Sequence, residues 1–277
     1  MQVMLFPRYF MILSVFILLP ATAFSDTILL KSDTWCPYNC ALDAKLPGFT
    51  IEVAKKIFEK AGHKLKYEIV PWSRALKLVK EGDITAIVGV TKNEAPELIF
   101  PEQEFGISVI HFFKRKGFVW TFAGTESLKT VRVGIMDDYE YGGELDEYFE
   151  KNRNTKKVQV IKAKEPLVLN IRKLLRERVD VIPEDKAVFI NTANAMGVWD
   201  KIEDAGIDPI SSKESLDESK LYIAFSPKNP KSKEYAKLIT DGIEQMRLSG
   251  ELSQILAKYK LTDWREDFKG VTKKYQK

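Results

Sequence analysis

Residues 49–90 read FTIEVAKKIFEKAGHKLKYEIVPWSRALKLVKEGDITAIVGV, and their pattern decides the architecture. FTIEVAKKIFEKAG (49–62) spaces its apolar residues as a helix does and closes on Gly62. KLKYEIV (64–70) alternates polar and apolar residues, as a strand with one covered face would. WSRALKLVKEG (72–82) follows Pro71 as a second helix and closes on Gly82. ITAIVGV (84–90) is a buried strand, and TILLKS (27–32) supplies another upstream. The β-α-β-α-β rhythm predicts a mostly parallel sheet with helices on its faces.

The rhythm restarts downstream. VRVGIMD (131–137), KVQVIKA (157–163) and DVIP (180–183) read as strands. YGGELDEYFEKN (141–152), PLVLNIRKLLRERV (166–179) and DKAVFINTANAMG (185–197) read as the helices between and after them. VIHFFKRKGFVWTF (109–122) is extended and aromatic and links the blocks, and KLYIAFSPKN (220–229) is a later extended run. Two helices divided at Gly250 end the chain, and their apolar stripes need a sheet to cover. Returning them to the first block gives two crossings between two lobes, hence a hinge. The cleft between the lobes is where strand ends and helix N-termini converge.

The N-terminus predicts export. One charge at Arg8, an apolar run over 9–19 broken by Pro20, and small residues in ATAFSD describe a secretory signal over residues 1–25. The run is shorter than the roughly 20 residues that a membrane span needs. The remaining chain suffices for two domains, and 45% apolar with 30% charged residues is a globular composition. A net charge of +4 with well-mixed signs excludes a nucleic-acid binder.

At this point the residues show a resemblance. W-x-P-Y, PGFTIEVAKKIF, YEIVPWSRAL, GDITAIVGVT, VGIMDDYEYG, VDVIPED and IEQMRLSGELSQILAKYKL occur in that order. Together they resemble the periplasmic solute-binding proteins of family 3, the polar-amino-acid group. The resemblance implies an α/β, two-lobed type II periplasmic-binding-protein fold, each lobe a mostly parallel sheet flanked by helices. The expected division is lobe 1 over 26–115 and 221–277 and lobe 2 over 116–220. It also implies capture of a small polar, amino-acid-like solute by lobe closure, as a monomer without cofactor, and delivery to the membrane permease of an ABC-type transporter, hence amino acid transport. A sensor receptor is the alternative partner, and a periplasmic lyase or dehydratase on the same fold is the alternative activity.

The family's pattern nominates site residues. Asp33, Trp35 and Tyr38 lie in the first strand-to-helix loop, where rings either touch the ligand or cap the lobe's core. Trp72 and Arg74 open the second helix; Arg74 either holds a carboxylate or pairs with a surface acid. Thr91 matches a ligand-bonding threonine, but the arginine that the family places three to five residues later to clamp an α-carboxylate is missing from TKNEAPELIFP. In MDDYEYGG, Tyr139 is a candidate contact, and Asp137, Asp138 and Glu140 read as helix-capping acids. In VDVIPED, Glu184 or Asp185 is expected to meet the ligand's amino group. Acids at the amine site without a carboxylate clamp predict an amine-bearing solute.

DTWCPYNC (33–40) holds both cysteines of the chain. Two cysteines without a nearby histidine fall short of a zinc site, and the spacing is not that of a C-x-x-C redox pair. Export to an oxidising compartment predicts a Cys36–Cys40 disulfide that stiffens the loop presenting Trp35 and Tyr38. The chain's two histidines, His63 and His111, sit in a turn and in the aromatic linking segment, which leaves Glu184 with Asp185 as the pair for any acid-base chemistry.

Overall fold

The computed structural model describes residues 25–163, 165–208 and 213–267. The expected secretory signal therefore lies outside the described residues, apart from Ser25. Among the described residues, no helix is long and apolar enough to cross a membrane.

Lobe 1 is built on β1 (Thr27–Ser32), β2 (Lys64–Ile69) and β3 (Ala86–Val90), all parallel, with α1 (Phe49–Lys60) and α2 (Trp72–Glu81) as crossovers. α1 buries Phe49, Ile51, Val53, Ala54, Ile57 and Phe58, which is the stripe that the helical spacing predicts. Both helices end as read, with Gly62 and Gly82 in the left-handed conformation. After β4 (Gly106–Ile107) the chain enters β5 (Ile110–Arg115) and changes sheet.

Lobe 2 repeats the plan. β6 (Val133–Met136), β7 (Val158–Ile161) and β8 (Val181–Asp185) are parallel, with α3 (Gly143–Lys151) and α4 (Pro166–Leu175) between them and α5 (Lys186–Ala195) after β8. β9 (Ile202–Ile207), α6 (Lys213–Glu218) and β10 (Lys220–Phe225) follow, and β10 lies in the first sheet. The chain then runs through α7 (Ser232–Ser249), α8 (Glu251–Lys258) and the short α9 (Trp264–Asp267). α7 packs on α1 so closely that a side chain at Gly242 would collide with Ile57, its Cβ only 2.5 Å from Cγ1. The final helices thus return to lobe 1, as their apolar stripes require.

The sheet orders are β2-β1-β3-β10-β4 and β7-β6-β8-β5-β9. In each, one strand runs against the other four: β10 in lobe 1, β5 in lobe 2. Each is the strand that has just crossed from the opposite lobe, so the two crossings also knit the sheets. The expected boundary after residue 115 assigned β5 to lobe 1. Its pairing with β8 and β9 puts it in the second sheet, and the first crossing falls between β4 and β5.

Candidate functional site

The first wall is the loop between β1 and α1. Cys36 and Cys40 form a disulfide with Cα atoms 4.4 Å apart. Within that loop, the Trp35 and Asn39 backbones pair in both directions, and the Tyr38 N–H donates to the Trp35 carbonyl at 3.0 Å. Gly48 closes the loop at a φ of 103°, with its Cα so near Tyr38 that a side chain would strike that residue's carbonyl. The tight turn stacks Trp35 on Tyr38 at 4.4 Å between centroids and 18° between planes.

Lobe 2 meets this wall through β8. Successive strand residues point to opposite faces, and Glu184 and Asp185 divide accordingly. Asp185 ends the strand and caps α5, its Oδ1 accepting from the Ala187 and Val188 amides at 2.9 and 3.1 Å. Its Oδ2 lies 3.1 Å from the Tyr38 hydroxyl and accepts from Ser108 at 3.3 Å. Glu184 turns the other way. Its Oε1 accepts from the Asp185 amide at 2.8 Å and from the Trp35 indole at 3.3 Å, whereas its Oε2 is buried with no hydrogen-bond partner. Tyr139, beyond β6, donates to Asp33 Oδ2 at 2.7 Å. Trp35–Glu184, Tyr38–Asp185 and Tyr139–Asp33 all join the lobes, so the cleft is closed.

Between the lobes lies a cavity of about 100 Å³. Asp33, Trp35, Trp72, Thr91, Glu94, Tyr139, Glu140, Tyr141 and Glu184 carry its chemistry, with Asn39, Val88, Gly89, Ser108, Ile110 and Leu221 completing the wall. Six of the nine residues nominated from sequence are brought together here: Asp33, Trp35, Trp72, Thr91, Tyr139 and Glu184. Three are not. Tyr38 is buried beneath Trp35 and faces a larger groove of about 1020 Å³ behind the disulfide loop, as does Asp185. Arg74 is exposed on α2, whose buried residues are Ala75 and Val79.

Glu94 and Glu140 were missing from the nominated set. Glu94 accepts from the Trp72 indole at 2.6 Å, and its amide donates to Thr91 Oγ1 at 3.2 Å. It thus stands three residues after Thr91, within the register where the resemblance implied a carboxylate-clamping arginine, and it carries the opposite charge. Glu140 does not cap α3, nor do Asp137 and Asp138. The α3 N-cap is Gly142, whose amide, like that of Tyr141, is held by the Asp146 carboxylate. Asp137 instead pairs with Arg153 and Lys162.

The cavity wall therefore holds four carboxyl groups and no lysine or arginine. Burial is the main cause of their weakened acidity. It pushes Glu184 up to about 8, with the Asp185 and Asp33 charges adding to the effect. It lifts Glu94 to about 7, against the bond from Trp72 and with help from Glu140 and Asp33. Burial also raises Asp33 and Glu140 above the ordinary range. Asp185 is raised to about 6 by burial, which outweighs its hydrogen bonds. Among the described residues, no group of three or more His, Cys, Asp or Glu is placed to hold a metal ion. The arrangement is matched instead to a cation with N–H donors, flanked by aromatic faces.

Two α/β lobes, knitted by exchanged strands and closed on a walled cavity, define a two-lobed binding fold. Residues 29–262 match the bacterial extracellular solute-binding proteins, family 3, and the chain belongs to that family. No curated protein sequence matches it. Its fold is similar to a structure described for glutathione import via GshT and the cystine ABC importer TcyBC of Streptococcus mutans, with a TM-score of 0.71 and 16% identity over 87% of this chain and 99% of that one. The arginine-, lysine-, histidine-binding protein ArtJ from Geobacillus stearothermophilus gives 0.67 and 16%, covering 88% and 99%. A histidine kinase sensor domain with similarity to periplasmic binding proteins gives 0.66 and 17%, covering 84% and 95%.

Proposed function

We propose that this protein is a periplasmic solute-binding protein that captures a small amine-bearing solute by lobe closure and delivers it to an ABC-type transporter. The observation that carries the reading is the cavity between the joined lobes, walled by four carboxyl groups and aromatic rings without a basic residue. An ammonium or guanidinium group there gains charge-assisted hydrogen bonds from acids already desolvated, and the rings of Trp35, Trp72 and Tyr139 add cation–π attraction. Lobe closure moves Glu184 and Tyr139 onto the lobe 1 wall, so a bound cation and the closed state favour each other.

Family membership supports capture and delivery, and so do the described ligands and importers of the structural neighbours. In this reading the N-terminal segment directs export and is removed, and the mature monomer binds without turning its ligand over. The two histidines stand apart from the cavity: His63 bonds the Asp26 amide, and His111 bonds Asp204. Asp185, the other half of the carboxylate pair considered for acid-base chemistry, is committed to α5 and Tyr38. A sensing role for a membrane receptor is the second reading, favoured by the likeness to the sensor domain.

A thermal-shift screen of amines, amino acids, organic acids and sugars tests the proposal. Amine-bearing compounds should raise the melting temperature and be recovered chemically unchanged. Stabilisation by organic acids or sugars alone would refute the amine site, and conversion of the ligand would refute the pure binder.

A further inference from the structure

Resting on the amine-solute reading, we propose that the cavity takes small organic cations that carry no carboxylate, and so rejects α-amino acids in favour of the corresponding amines. With the acids ionised, the side-chain donors of the wall are already engaged. Trp35 Nε1 donates to Glu184, Trp72 Nε1 to Glu94 and the Tyr139 hydroxyl to Asp33. Ser108 donates to Asp185, Asn39 Nδ2 to Ser32 and the Asp33 carbonyl, and the Tyr141 hydroxyl to Met136 Sδ. Thr91 already accepts from the Glu94 amide, leaving its hydroxyl hydrogen for a ligand. One hydroxyl does not compensate a desolvated carboxylate.

Acceptors, by contrast, are in surplus. Glu184 is 3% exposed and lines the cavity, yet its Oε2 has no partner. Once Glu184 ionises, this oxygen is a buried acceptor left unpaired, which is costly, and a ligand N–H is what satisfies it. The basic side chains near these elements are turned elsewhere. Arg74 is exposed, Lys80 pairs with Glu97 at 2.7 Å, and Lys92 sits over the Tyr222 ring at 4.9 Å. A ligand carboxylate would enter among Asp33, Glu94, Glu140 and Glu184 with no counter-charge in the wall. The cavity's 100 Å³ equals the share of about three liquid waters, so a small solute cannot hold its carboxylate far from these acids.

Isothermal titration of the purified protein at pH 8 with three matched pairs small enough for the cavity tests the inference: methylamine against glycine, ethylamine against alanine, and ethanolamine against serine. In the pair that binds most tightly, the amine is expected to bind at least about tenfold better than its amino acid, a difference of about 1.4 kcal/mol. Equal or tighter binding of the amino acid would overturn the exclusion of carboxylates while leaving the amine-solute reading intact. Absence of binding by all six would overturn that reading, and the inference with it. In a second arm Glu94→Gln keeps an acceptor for the Trp72 indole but removes the charge. It should narrow the amine-to-amino-acid ratio severalfold, and an unchanged ratio would count against the proposal.

Discussion

Ligand affinity should fall steeply as pH is lowered from 8 to 6. In the ligand-free cavity Glu184 titrates at about 8 and Glu94 at about 7. A bound cation favours their ionised forms, so binding releases the protons that burial had retained, and affinity is highest above both values. For a group fully ionised in the complex, the apparent dissociation constant scales with one plus ten raised to (pKa − pH). Between pH 8 and 6 that factor is about 50-fold for Glu184 and about tenfold for Glu94, on the order of 500-fold together. Asp33 and Glu140 face the same space with raised values and steepen the slope further at acid pH, with Lys80 opposing the rise of Glu140 only in part. Ethylamine is a suitable probe because simple alkylamines stay charged throughout the range. Titration calorimetry in two buffers of different ionisation enthalpy reads both the affinity and the proton count, which should approach two near pH 6. Glu184→Gln, which cannot ionise, should retain only about the tenfold dependence assigned to Glu94. Affinity that is flat, or that rises as pH falls, would refute the reasoning.

The same protons govern the ligand-free protein. Because the folded pKa values lie above the unfolded ones, the folded state holds more protons between about pH 4.5 and 8, and stability declines as pH rises through that window. The melting temperature should therefore drop from pH 6 to pH 9, and Glu184→Gln should flatten the fall; an unaltered profile in that variant would contradict the assignment. Replacing Cys36 and Cys40 with serine opens a loop so short that the chain-entropy effect is only about 2 kcal/mol. Amine affinity should fall more than stability does, and the opposite order, seen by pairing calorimetry with thermal melts, would count against a bracing role. Asp185→Ala removes the α5 cap at a cost of about 1–2 kcal/mol and frees the Tyr38 hydroxyl, so melting temperature and affinity should both fall. Arg74→Ala should leave both unchanged within about 0.5 kcal/mol, and a large loss of affinity would return Arg74 to the site.

The lobes were legible because their signals are local. Gly62, Gly82 and Gly250 stop helices wherever they sit, and the alternation of KLKYEIV holds whatever it pairs with. β9 carries no strand signal of its own, because IEDAGI holds two acids and a glycine and only pairing with β5 makes it a strand. The crossing was misplaced for a related reason: β5 is apolar enough for either sheet, and its partners alone decide. In the site, Asp33, Trp35 and Glu184 were readable from their places at or just beyond strand ends. Glu184 and Asp185 were separated only by the pleat, which sends neighbours to opposite faces. Arg74 follows the phase of α2, set by Ala75 and Val79 rather than by the residue's charge. Glu94 looked like any loop acid. Its register three residues after Thr91 was visible, but its role depends on Trp72, 22 residues away in sequence, turning an indole N–H toward it.

The most direct test is to purify the protein from the compartment where it works, denature it, and identify by mass spectrometry the small molecule released in stoichiometric amount. An amine or guanidine, cationic at neutral pH and without a carboxylate, is expected. A stoichiometric organic acid, sugar or zwitterionic amino acid would contradict it.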